Sequence, residues 1–239
     1  MSSVDVSRDE RQSPDNPPDS SDPVPGAADW ILGVLAGVAG LALTAVSVGM
    51  YTQIDRGVIR ETVLEQDVEP NGITQLKLIN AAEPFVDALA IGLGLTGLAL
   101  VGFAVLYVYT RRQTRRRVSR EGGTTATFVS CTVYGASVGA LVSSIVPGLG
   151  ALVGGAIGAN LYDGDSGVRV GAATGAVSSA LTVPLLVFLG IGAVAGGAEI
   201  GKLAGGVTVA VIVITSGMVA TAFNAGAGAV GGYLADRFA

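Results

Sequence analysis

Residues 30–51 carry no charge, and residues 85–110 carry only Asp87, near their start. As helices rising about 1.5 Å per residue, both stretches are long enough for a hydrocarbon core of roughly 30 Å. They predict the first two membrane spans. Asp29 stands where an N-cap for the first would be, and Trp30 suits a membrane interface. Between the spans, residues 53–83 are polar, with six acidic and three basic side chains, and Glu69-Pro70-Asn71-Gly72 reads as a turn. Neither a helical nor a strand period is clean on either side of that turn.

Beyond residue 124 the pattern changes. Residues 125–146 are apolar and end at Pro147-Gly148, while the apolar run 149–161 is short for a crossing. A polar loop at 162–166 leads into an apolar run over 170–195 that contains Pro184. A hairpin-like 196–202 then precedes another span over 203–223, and 226–234 forms a second short glycine-rich piece. The expected fold is all-α, a multi-pass transmembrane helical bundle with glycine-zipper packing. It has five full spans and two short glycine-rich helices that either re-enter or cross. Each short one that crosses reverses everything after it.

Composition sharpens this picture. Charged residues make up 14% of the 239, with 36 glycines, against about 25% charge and 7% glycine in ordinary soluble domains. Residues 124–239 hold seven charges in all, too few to cover a soluble surface. Residues 1–28 hold six acidic side chains and five of the nine prolines. Such a segment buries too little apolar area to offset about 1–2 kcal/mol per ordered residue, so an acidic disordered tail is expected. Arg111, Arg112, Arg115, Arg116, Arg117 and Arg120 follow the second span directly. That places loop 111–123 and the N-terminus in the cytoplasm of a cell-membrane protein, with 53–83 outside. The same arginines suit anionic headgroups of the bilayer. Three regions follow: a tail at 1–28, a two-span unit at 29–123 and a glycine-rich membrane domain at 124–239.

The absent chemistry is equally informative. There is no histidine, and Cys131 is the lone cysteine, in an apolar run where a buried inert thiol is expected. No nucleophile has a partner base, so no catalytic residue, no metal and no cofactor is expected, and the chain is read as not an enzyme. Two lysines and a net charge of −5 argue against a nucleic-acid partner. The acidic excess with scarce lysine fits a high-salt cytoplasm. Asp163 and Asp165 flank Gly164 but lack the further carboxylates of a calcium loop, and Glu199 and Lys202 read as a loop pair.

Glycine spacing is the clearest motif. Gly150, Gly154 and Gly158 recur at four, as do Gly167, Gly171 and Gly175, and Gly197, Gly201 and Gly205. Lipid offers no hydrophobic drive for helix pairing, so small residues at that spacing let backbones approach for van der Waals contact. The spacing predicts tight packing within the chain or in a homo-oligomer, with Gly154 and Gly171 on antiparallel neighbours. Ser143 and Ser144 precede Pro147, and Ser178 and Ser179 precede Pro184. A proline inside a span frees the carbonyl four residues back, and broken helices bearing hydroxyls form ion sites in some transporters. These six residues are the candidate intramembrane polar site.

Val146-Pro147-Gly148-Leu149, Gly154-Gly155-Ala156-Ile157-Gly158-Ala159, Val168-Arg169-Val170-Gly171-Ala172 and the ending Gly226-Ala227-Gly228-Ala229-Val230-Gly231-Gly232-Tyr233-Leu234 together carry a resemblance. Over residues about 126–236 the chain is similar to a small haloarchaeal multi-pass membrane protein domain of unknown function. The resemblance implies a helical membrane bundle and brings no catalytic residue with it. The functional expectation is a structural or self-associating membrane protein; the alternative is a passive channel or small-solute/ion transporter.

Overall fold

A computed structural model describes residues 26–54, 56–65, 74–121, 124–146, 148–162, 164, 166–180 and 182–238. Expectations for residues 1–25, for the 69–72 turn, for Pro147 and for Asp163 and Asp165 lie outside the described residues. Every regular element among those described is helical: α1 (Gly26–Gln53), α2 (Arg56–Glu65), α3 (Gln75–Glu121), α4 (Phe128–Ile145), α5 (Gly150–Asn160), α6 (Gly167–Ala180), α7 (Thr182–Glu199) and α8 (Leu203–Phe238). Five segments are long and apolar enough to cross a membrane: α1, α3, α4, α8, and Gly167–Glu199 taken together. Their outward faces carry large apolar side chains such as Leu41, Val105, Val211 and Met218, as lipid-facing helices require.

The helices pack mainly as antiparallel neighbours. α1 lies along α3, with Gly33 against Val108, Gly40 against Gly97 and the Ser47 hydroxyl donating to the Ala90 carbonyl at 2.7 Å. The first half of α3 packs on α7, with Gly92 beside Phe188, Gly192 beside Ala88 and Gly196 beside Ala81. α4 and α5 make a hairpin in which Gly139 faces Gly150, Gly135 faces Gly154 and Cys131 faces Gly158. α8 runs back along both α6 and α7. Gly167, Gly171 and Gly175 meet Asp236, Gly228 and Asn224 at one end, and Gly197 meets Gly206 at the other.

The helix boundaries correct several expectations. Residues 111–120 are the last turns of α3 rather than a loop, because Arg111 and Arg115 are held by a carboxylate from α1. In the polar stretch, α2 occupies 56–65, and α3 begins at Gln75 and continues through Pro84. Ile79 is buried and Ala81 packs on Gly196, so tertiary contact holds the helix across a residue that cannot donate. Residues 226–234 are not a separate piece but the last third of α8, fixed there by the contacts with α5 and α6. Pro184 lies inside the crossing segment Gly167–Glu199, in the first turn of α7, where its missing N–H costs no bond within that helix. The third glycine series does not run along one helix. Gly201 takes φ 71° in the turn after α7, where Lys202 N–H donates to the Gly197 carbonyl at 2.8 Å, closing the helix end. Gly205 is open, and its neighbour Gly206 makes the contact with Ala193.

Candidate functional site

The most buried charged groups among the described residues sit where α1, α3 and the lead into α4 meet. Asp29 is 5% exposed and Arg111 4%. Arg111 Nε donates to Asp29 Oδ1 at 3.0 Å, and Arg115 donates to Asp29 Oδ2 from Nε at 3.0 Å and Nη2 at 2.8 Å. The Tyr107 hydroxyl reaches Asp29 Oδ1 at 3.2 Å. Arg111 Nη1 then donates to the Thr125 carbonyl at 2.6 Å, and the Ser130 hydroxyl reaches the same carbonyl at 3.3 Å. One carboxylate therefore holds two guanidiniums, and one of these ties the two-span unit to the glycine-rich domain.

Local sequence explains the placement. Asp29 follows Gly26-Ala27-Ala28, which are already helical, so its carboxylate is not an N-cap. It points sideways at α3, where Arg111 and Arg115 stand four apart on one face. Burial of such a set strips its hydration, and the Coulomb attraction compensates only when nearly every donor is satisfied. Arg111 Nη2 is buried without a hydrogen-bond partner. The missed signal was present in the sequence: one acid just before the first span, and two arginines at i, i+4 just after the second.

The serine pairs are placed separately. Ser144 donates to the Leu141 carbonyl at 2.7 Å, and Ser178 and Ser179 donate to the Gly175 carbonyl at 2.7 and 3.4 Å. Asn224 Nδ2 donates to Ser179 Oγ at 2.7 Å. Ser143 Oγ lies beside Gly150. No hydrogen bond joins Ser143 or Ser144 to Ser178 or Ser179 among the described residues. Glu199 and Lys202 lie at the α7–α8 turn and make no ion pair among the described residues.

Gly154 and Gly171 do not face each other. A methyl on Gly154 would enter the Gly135 backbone of α4, and one on Gly171 the Gly228 backbone of α8. Gly150 abuts Gly139 and Ser143, Gly158 abuts Cys131 and Thr174, and Gly155 abuts Gly228. Cys131 is fully buried, and among the described residues no group of His, Cys, Asp or Glu is arranged to hold a metal. Arg112 and Arg116 are exposed, and Arg117 pairs with Glu121 at 2.8 Å.

Fold and site together define a multi-pass helical membrane protein whose helices meet through glycine backbones and whose two halves are joined by a buried ion cluster. No protein family, curated protein or solved structure matches the chain.

Proposed function

We propose that this is a structural membrane protein without enzymatic activity, which associates with copies of itself in the cell membrane. The observation that carries the reading is the use of its distinctive residues: the buried glycines and the Asp29 cluster join helix to helix. The hydroxyls of Ser144, Ser178 and Ser179, candidates to line a path for solutes, bond instead to carbonyls of their own helices. Gly49 and Gly226 are helical yet meet nothing within 4 Å, leaving low surfaces on which a second copy can approach closely. The arginine-rich end of α3 faces the cytoplasm in this reading. The acidic excess with scarce lysine supports a halophilic setting.

Three measurements on purified protein test this. Mass determination in detergent and cross-linking in liposomes should give a defined oligomer, and ion and small-solute flux in the same liposomes should match empty vesicles. Monomer under both conditions overturns self-association. Saturable flux would instead favour a channel or transporter, with the α6–α7 break near Ser178, Ser179 and Asn224 as its first candidate path.

A further inference from the structure

α1 and α3 pack closely at Gly33 and Gly40, but between their outer faces lies an open apolar groove of about 420 Å³. It runs from Trp30 and Arg112 at the arginine end to Gly37 and Val101. Arg112 stands eleven positions after Val101 along α3, roughly 16 Å along the helix axis. Gly37 forms part of its floor: the nearest atom to a Cβ there would be Ala104 Cβ, at 4.0 Å.

From these features we infer that the groove is a binding site for one anionic phospholipid of the surrounding leaflet. Its phosphate sits on Arg112 and an acyl chain lies along Gly37 and Val105. Charge decides the occupant. Asp29 occupies Arg111 and Arg115, and Glu121 occupies Arg117, whereas Arg112 is exposed at the mouth with no partner among the described residues. Trp30 at the same mouth is 57% exposed and suits the headgroup level. The acyl chain gains no hydrophobic free energy on leaving bulk lipid, since both surroundings are apolar. The groove contributes shape and dispersion contact, and the guanidinium contributes the preference for negative charge. This goes beyond self-association, and it holds for a monomer as well as for an oligomer.

The test is lipid retention. The protein is reconstituted in equimolar phosphatidylglycerol and phosphatidylcholine, extracted in mild detergent, and its bound lipids counted by native mass spectrometry. One retained phosphatidylglycerol is expected, preferred about fivefold, the preference one basic side chain gives near a membrane surface. Arg112→Gln should bring the two lipids near parity. Gly37→Leu should expel the retained lipid, and Val105→Trp, at a 65% exposed position on the other wall, should do the same if the leucine variant fails to fold. Arg117→Gln should change nothing. A preference that survives both Arg112→Gln and the groove-filling variant overturns the site. So does one lost with Arg112→Gln but kept when the groove is filled, because the lipid would then rest on surface charge alone.

Discussion

At the scale of single residues, Asp29 bears the largest consequence. Its carboxylate neutralises part of a site that also holds the two guanidiniums of Arg111 and Arg115, with Arg111 almost fully enclosed. Asp29→Asn keeps the shape and removes the charge, leaving an uncompensated buried cation; breaking one side of such a cluster costs about 3–5 kcal/mol. The expected outcome is a marked drop in melting temperature in detergent, while Arg117→Gln, on the exposed pair with Glu121, stays within about 0.5 kcal/mol of the parent. A second variant separates charge from packing. Asp29→Leu combined with Arg111→Met should recover much of the loss, since apolar replacement of a whole buried pair is often neutral or better. If Asp29→Asn melts like the parent, the cluster is not holding the two halves together. Its parts were visible in the sequence, but their pairing was not. Asp29 lies 82 positions from Arg111, and local pattern alone made it a helix cap.

At the scale of elements, glycine does two opposite things, and its neighbours decide which. The spacing of four at 150–158 and 167–175 was legible because it follows from helical geometry. The partners were not legible: Gly154 meets α4 and Gly171 meets α8, because chain order does not specify which helix lies behind which. Gly154→Ile and Gly171→Ile each drive a branched side chain into neighbouring backbone, where overpacking costs about 1–3 kcal/mol. Leu98→Ile, at a site 59% exposed on the outer face of α3, should be close to neutral. Gly102→Ala should move the other way. Nothing lies within 4 Å of its Cβ position, so the variant gains helix propensity of up to about 1 kcal/mol. Melting curves of the four variants in one detergent check the order. Equal curves would show that the contacts are loose, and a changed oligomer mass at unchanged stability would assign the contact to subunit pairing. The same competition explains why 226–234 joins α8. Asn224 and Gly226 look like helix stops locally, yet Asn224 backs Gly175 and bonds to Ser179, and Gly228 backs Gly171.

At the scale of the whole molecule, the short helix α5 determines topology. Sequence left open whether 149–161 crosses, and hence on which side the chain ends. The contacts resolve the relative arrangement, because α5 retraces α4 from Gly139 down to Cys131 and ends beside Val170, near the start of α6. Thr125, bonded to Arg111, marks that end of the bundle, and Asp236 of α8 reaches Gly167 at the same end. Gln53 and Lys202 lie at the opposite end, since Gly196 packs on Ala81 and Ser47 bonds to Ala90. The α4–α5 hairpin therefore returns to the end where it began, and both ends of the described chain fall together. Single cysteines in a Cys131→Ala background test this arrangement. In sealed right-side-out vesicles a membrane-impermeant maleimide should label Gln53→Cys and Lys202→Cys at once. Arg120→Cys, Ser166→Cys and Arg237→Cys should react only after permeabilisation if, as proposed, the arginine-rich end faces the cytoplasm. The complementary pattern would keep the fold and reverse its orientation. Labelling of Ser166→Cys together with Lys202→Cys would break the pairing of α5 with α4, and with it the shared end on which the Asp29 cluster and the α6–α8 contacts depend.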